Sequence, residues 1–258
     1  MVLGLPASLV VLLAGTILLA GVVNGVAGFG FALVGTMVLA TAIDPATAVV
    51  FMLLPIVSVN LSLVRDLSPT ELRSCGRRFA PLVGAALVGT VAGMAVLKGL
   101  PGQPLRVGLG VVTLAFVASA QDAVALPGFG SLGDRVAAES LPALVAVGGV
   151  SGLLFGGTNV GVQLIAYLRS RDLAHGTFVG VVAMVFLGLN AVRVGVAGVL
   201  GLYPDLALVA ASAVAAVPAV VGVAVGRRLR GTLPERWRRR AVLGLLAVVG
   251  VRLVSVGL

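Results

Sequence analysis

Charge is what this sequence has least of. Only 10% of its 258 residues are Asp, Glu, Lys or Arg, against roughly 25% in a soluble globular domain. Cysteine, histidine and tryptophan occur once each. The lone Cys75 excludes an internal disulfide and cannot by itself build a cysteine metal site. No Asp or Glu falls inside an apolar segment, since Asp44, Asp66, Asp122, Asp172 and Asp205 all mark segment ends. His175 stands beside Arg171 and Asp172 in a short connection and reads as a solvated loop histidine, with proton sensing as the sharper alternative. A membrane-embedded enzyme would need a His-Glu-x-x-His, Ser/His or paired-Asp constellation. None is present, so the chain reads as a non-enzyme that calls for no metal and no cofactor. The net charge of +9 comes without basic–aromatic interleaving or a nucleic-acid motif. It therefore points to basic loops at a membrane rather than to DNA or RNA.

Apolar residues dominate instead: 59% of the chain is hydrophobic, and mean hydropathy is +1.18. The apolar runs are too long and too many for one water-soluble core. Lipid leaves the backbone only helices or closed barrels, and these runs lack the alternation of barrel strands. The chain is thus predicted to be an all-α polytopic membrane protein of the cell membrane. Met1 to Ala20 lacks the basic start of a signal peptide and is read as part of the mature fold.

Glycine punctuates the runs. Gly21-Val-Val-Asn-Gly-Val-Ala-Gly-Phe-Gly30 breaks the first apolar stretch, and Gly148-Gly-Val-Ser-Gly-Leu-Leu-Phe-Gly-Gly-Thr-Asn159 breaks a later one. Gly25 aligns with Gly152, Asn24 with Ser151, Asn60 with Asn190, and Gly89 and Gly93 with Gly222 and Gly226, in preserved order. Residues 1–120 and 140–258 therefore read as two repeats of one membrane domain, joined by a Pro/Gly-rich linker over 121–139. The Gly89/Gly93 and Gly222/Gly226 pairs read as helix-packing faces.

Loop charge separates two architectures. If each broken segment (5–43 and 140–168) is one kinked span, Lys and Arg divide 5 against 11 between the two sides. If each is a hairpin that returns, the loops at 65–78, 121–139, 169–173 and 227–240 share a side and collect 14, leaving Lys98 and Arg106 opposite. The second division fits the positive-inside rule. Each repeat is then a Gly-broken re-entrant or short-span hairpin plus three transmembrane helices. The repeats are inverted, and both termini are extracytoplasmic.

With this pattern of breaks, repeat and short hairpins, the chain resembles the TauE/SafE family of membrane transporters over nearly its whole length. The resemblance rests on the two glycine runs, although Phe29 interrupts the first and Thr158-Asn159 end the second. It implies export of sulfite, an organosulfonate or a related sulfur-containing anion.

Paired Gly-broken segments point to a transporter's binding site. Gly25, Gly28, Phe29 and Gly30 in the first break, and Gly156, Gly157, Thr158 and Asn159 in the second, offer helix N-termini to a small anion. Asn24, Ser151 and Gln163 add possible donors. Phe29, Phe31 and Phe155 could close an apolar gate or simply pack. Asn60, Asn190 and Arg193 lie deep in apolar segments, and Asn190 and Arg193 share a helix face. Arg193 has three readings: it binds the anion, it holds a hairpin through backbone carbonyls, or it snorkels to an interface. Arg252 reads as a helix-end snorkeller. The arginines at 227–240 around Trp237 read as an anchor on anionic lipid, with an anion-collecting antechamber as the alternative. The leading expectation is a secondary transporter working by alternating access, its anion held between the breaks near mid-membrane. A passive anion channel is the alternative.

Overall fold

A backbone in lipid must bond to itself, and the described residues do so almost entirely as α-helix. The computed structural model describes residues 7–27, 30–64, 79–119, 141–161, 164–165, 168, 175–232 and 234–258. Ten helices and no strand occur among them. They are α1 (Ala7–Ala27), α2 (Phe31–Ala40), α3 (Pro45–Phe51), α4 (Leu53–Val64), α5 (Ala80–Gly99), α6 (Gly102–Ser119), α7 (Leu141–Thr158), α8 (His175–Val199), α9 (Leu206–Arg230) and α10 (Glu235–Gly257). The sequence expectations for Gly28, Phe29, Gln163, Cys75 and the connections at 65–78, 121–139 and 169–173 fall outside the described residues, as does the side chain of His175.

Among the described residues, seven spans are long and apolar enough to cross a membrane: α1, the rod formed by α3 and α4, α5, α7, α8, α9 and α10. This is a multi-pass membrane protein. Helix α2 has 10 residues and reaches only about 15 Å against a hydrocarbon core of roughly 30 Å. The first broken segment is thus asymmetric: α1, at 21 residues, is of crossing length and its returning arm is not.

The break between α3 and α4 falls at Met52, and Pro55 explains it. Proline has no N–H to offer the carbonyl four residues back, which is that of Phe51. Ser212 of α9 supplies the missing donor, its Oγ lying 2.6 Å from the Phe51 carbonyl. A break in one half of the chain is thus completed by a side chain from the other half.

Glycine faces set the tightest helix contacts. On α1, a Cβ at Gly21 would overlap the carbonyl of Ala219 in α9, and one at Gly25 the carbonyl of Val223. The numbers rise together, so α1 and α9 run parallel. Gly148, Gly152 and Gly156 of α7 lie in the same way against Leu82, Ala86 and Thr90 of α5. This pair is also parallel, and Thr90 Oγ1 donates to the Gly152 carbonyl at 3.3 Å. Helices α6 and α10 run antiparallel, with Gly110 on Gly250 and Gly257 on Val107. Small residues permit this approach where apolar side chains gain nothing by leaving lipid. The first helix of each broken segment is thereby packed on a helix remote in sequence.

The buried apolar residues form two clusters. The larger joins every helix but α7, and includes Ile17, Met37, Phe51, Met94, Ala197 and Leu246. The smaller brings Leu82 of α5, Phe155 of α7 and Val185, Phe186 and Leu189 of α8 together with Leu164 and Leu168.

Candidate functional site

Where a helix stops inside a membrane, its last carbonyls and first amides need new partners. At the first break, Gly30 adopts φ +99°, a left-handed conformation that glycine enters without a Cβ penalty. Asn24, one turn before the end of α1, accepts from the Phe31 amide at the start of α2 at 3.3 Å. The asparagine therefore fastens the returning arm to the arriving one. At the second break the turning residue is Asn159, at φ +61°, a conformation that asparagine tolerates better than most residues. Its Nδ2 donates to Thr36 Oγ1 of α2 at 2.7 Å and to the Val49 carbonyl of α3 at 3.0 Å. Thr158 turns its hydroxyl back to the Leu154 carbonyl and accepts from the Val160 amide at 3.1 Å.

Among the described residues, Arg238, Arg106 and Arg193 serve helix C-termini. Arg238 Nη1 donates to the Val26 carbonyl in the last turn of α1 at 2.9 Å. Arg106 reaches the Ala40 carbonyl at the end of α2 and the Ile43 carbonyl beyond it, at 3.1 and 3.2 Å. Arg193, with 0% exposure, donates to the Gly156 carbonyl in the last turn of α7 at 3.0 Å. It also donates to Asn190 Oδ1 at 3.1 Å, and Asn190 Nδ2 in turn donates to the Phe186 carbonyl at 2.8 Å. Cations at helix C-termini complement the dipole there. Of the three readings of Arg193, its hydrogen bonds match the hold on a backbone carbonyl. It is fully buried and does not snorkel. Arg252, by contrast, is exposed near the end of α10.

The two breaks share one cavity of about 110 Å³. Asn24, Gly30 and Phe31 line it from the first break, Phe155, Asn159 and Gly161 from the second, and Asn60 and Leu63 from the last turn of α4. No charged side chain lines it among the described residues. Arg193 stands behind one wall, its guanidinium 4.7 Å from the centroid of the Phe155 ring.

The structure thus brings Asn24, Gly30, Asn60 and Asn159 to one cavity, and the other described candidates pack outside its lining. Gly25 faces the α9 backbone, and Gly156 faces Thr90 of α5. Gly157 stands beside the Gly93 carbonyl, and Ser151 is buried in α7. Asn190 and Arg193 brace the end of α7 without lining the cavity. Asn159 bonds to α2 at Thr36, five residues beyond Phe31 and so about 8 Å along that helix.

Thr36 and the α8 residues Val182, Ala183 and Phe186 were not singled out from sequence, yet Thr36 anchors Asn159 and the other three line the cavity. A polar residue in a ten-residue apolar helix was the available signal for Thr36. The α8 residues carry none, being apolar among apolar neighbours.

A family model described as sulfite exporter TauE/SafE matches residues 13–253. The chain belongs to this family. Its members are membrane transporters that export sulfite and organosulfonates, and the multi-pass helical structure fits that activity. No curated protein and no solved structure matches the chain. The matched span of this TauE/SafE chain contains both breaks, the cavity between them and all three arginine-served helix ends.

Proposed function

We propose that this protein is a secondary transporter that exports a small sulfur-containing anion, sulfite or an organosulfonate, by alternating access. The anion occupies the cavity between the two breaks. The observation that carries this reading is that residues from both breaks line a single cavity, Asn24 and Gly30 from one and Asn159 and Gly161 from the other. The positive end of α2 opens near it, which suits an oxyanion without a formal cation in the wall. Backbone amides, the Asn24 and Asn60 amide groups and the field of Arg193 behind Phe155 supply the polarity. The second-break glycines and Thr158 position Asn159.

In this reading the two halves are inverted repeats. Support comes from the helix directions: α1 runs with α9, α9 is joined to α10 by residues 231–234, and α10 opposes α6. A two-residue link reverses α6 relative to α5, and α5 runs with α7. Following these steps, α7 opposes α1, as inverted repeats require. The arginine-rich end of α9 and start of α10 then face the cytoplasm. The entry to α1 and the exit from α10 face outward across the cell membrane. Asn60 and Leu63 in the last turn of α4 line the cavity, which suits an inward-facing state.

The test is labelled sulfite flux in liposomes containing the purified protein. Saturable counterflow supports a carrier, whereas single-channel current in a planar bilayer would replace it with a channel. Flux unaffected by Asn24→Leu and by Asn159→Leu would remove the site from the cavity.

A further inference from the structure

We propose that a groove between α1 and α10, apart from the cavity, is a binding site for one anionic phospholipid. The groove encloses about 390 Å³. Its walls are Val22 and Val26 of α1 and Ala241 and Leu245 of α10, and Trp237 and Arg238 close one end. The walls suit an acyl chain, and the closed end suits a phosphate. Arg238 uses Nη1 on the Val26 carbonyl, while its Nε is buried with no hydrogen-bond partner. A buried guanidinium N–H without an acceptor is costly, and a phosphate oxygen satisfies it once the Arg238 side chain shifts to admit a headgroup, since Nε itself carries no exposed surface.

The surrounding charge selects the headgroup. Residues 227–240 hold seven arginines and one glutamate. The α9 part of this stretch lies level with the last turns of α1, because a Cβ at Gly25 would meet the Arg227 amide nitrogen. Trp237 is 56% exposed and carries the Arg240 guanidinium 5.9 Å from its ring centroid. An exposed tryptophan beside arginines is the arrangement of a membrane–water boundary. Each arginine near an anionic surface adds attraction that a zwitterionic headgroup does not return.

The location adds a regulatory consequence. Arg238 holds the α1 carbonyl two residues after Asn24, which fastens α2 and lines the cavity. A phosphate bound by the Arg238 guanidinium acts on the same group that holds the Val26 carbonyl. Lipid binding and the shape of the first break are thereby linked.

The experiment uses the full chain in liposomes with spin-labelled phosphatidylglycerol or phosphatidylcholine of equal chain length. The measured quantity is the motionally restricted fraction of each lipid. Wild-type protein is expected to retain the anionic lipid several-fold over the zwitterionic one. Arg238→Gln removes the phosphate donor and Ala241→Trp fills the groove, so each is expected to abolish the preference. Arg230→Gln, at an exposed arginine outside the groove, is expected to keep it. Equal retention of both lipids by wild type overturns the proposal. So does a preference that persists in either variant. An equal loss in Arg230→Gln and Arg238→Gln does the same, because it shows a diffuse field without a site.

Discussion

Arg193 and Gly156 are joined inside the protein across 37 positions of sequence, Nη2 of the arginine lying 3.0 Å from the glycine carbonyl. The same guanidinium bonds Asn190 Oδ1 and lies over the Phe155 ring. A helix end, a helix face and an aromatic wall of the cavity therefore share one cation.

Replacing Arg193 by Gln is expected to destabilise the protein by about 1.5–3 kcal/mol, the range for a hydrogen bond made by a charged group. Arg193→Lys should not restore stability, because a point ammonium cannot reproduce the fork that serves two acceptors while stacking on a ring. Thermal unfolding in detergent is the measurement. A lysine variant as stable as wild type would show that charge alone matters at this position.

Asn159→Leu removes the donors to Thr36 and to the Val49 carbonyl and places an apolar side chain at a positive φ. Unpaired buried acceptors cost about 1–3 kcal/mol each. Asn159→Gly keeps the backbone conformation but loses the same bonds. The glycine variant should therefore fall between wild type and leucine in unfolding temperature, and both should lose sulfite flux. Equal stability of the glycine and leucine variants would leave the turn at 159 without a conformational requirement.

Two neighbouring glycines in α7 should behave oppositely. A Cβ at Gly152 runs into the Ala86 backbone, whereas one at Gly149 meets nothing within 4 Å. Gly152→Ala is expected to cost about 1–3 kcal/mol through overpacking. Gly149→Ala should be neutral, or stabilise by up to about 1 kcal/mol through helix propensity. Matched unfolding curves for the two would contradict the packing of α7 on α5.

Ser212 and Pro55 are predicted to be coupled. Ser212→Ala alone leaves the Phe51 carbonyl without its donor, at about 1–3 kcal/mol. Pro55→Ala restores a backbone N–H four residues after Phe51. In the Pro55→Ala background, Ser212→Ala should cost much less, and a double-mutant cycle measures the difference. Strict additivity would mean that the serine does not stand in for the missing amide.

Tyr203 lies between α8 and α9, and its hydroxyl is buried without a hydrogen-bond partner. Burial pushes its phenol above the ordinary value, and the field of Arg193 partly opposes this. With the folded value raised, the stabilising contribution is complete below the unfolded value of about 10. It is lost as pH rises from there through the folded value. Wild type should therefore lose more unfolding temperature than Tyr203→Phe on the alkaline side, and the two should run parallel near neutrality.

The sequence made the membrane class and the breaks legible for a physical reason. Apolar runs in lipid and glycine interruptions are local signals, and residues 13–253 carry enough of them to match a family. Asn190 and Arg193 were also readable as a pair, since three positions on a helix place them together. What stayed hidden depends on partners distant in the chain. Gly25 and Gly156 look alike whether they face a ligand or a helix, and only α9 and α5 decide it. The bond from Asn159 to Thr36 spans 123 positions, beyond any helical period. The cavity wall from α8 is made of valine, alanine and phenylalanine, which carry no chemical mark.

The pairing of α1 with α9 also bears on how the protein is made. The glycine face at Gly21 and Gly25 is completed by Gly222 and Gly226, which leave the ribosome roughly 200 residues later, or about 10–40 s at ordinary elongation rates. Through that interval α1 stands in the bilayer with its closest-packing surface uncovered. Any insertion factor that shelters nascent helices would meet that strip of small residues first, and must give it up when α9 arrives.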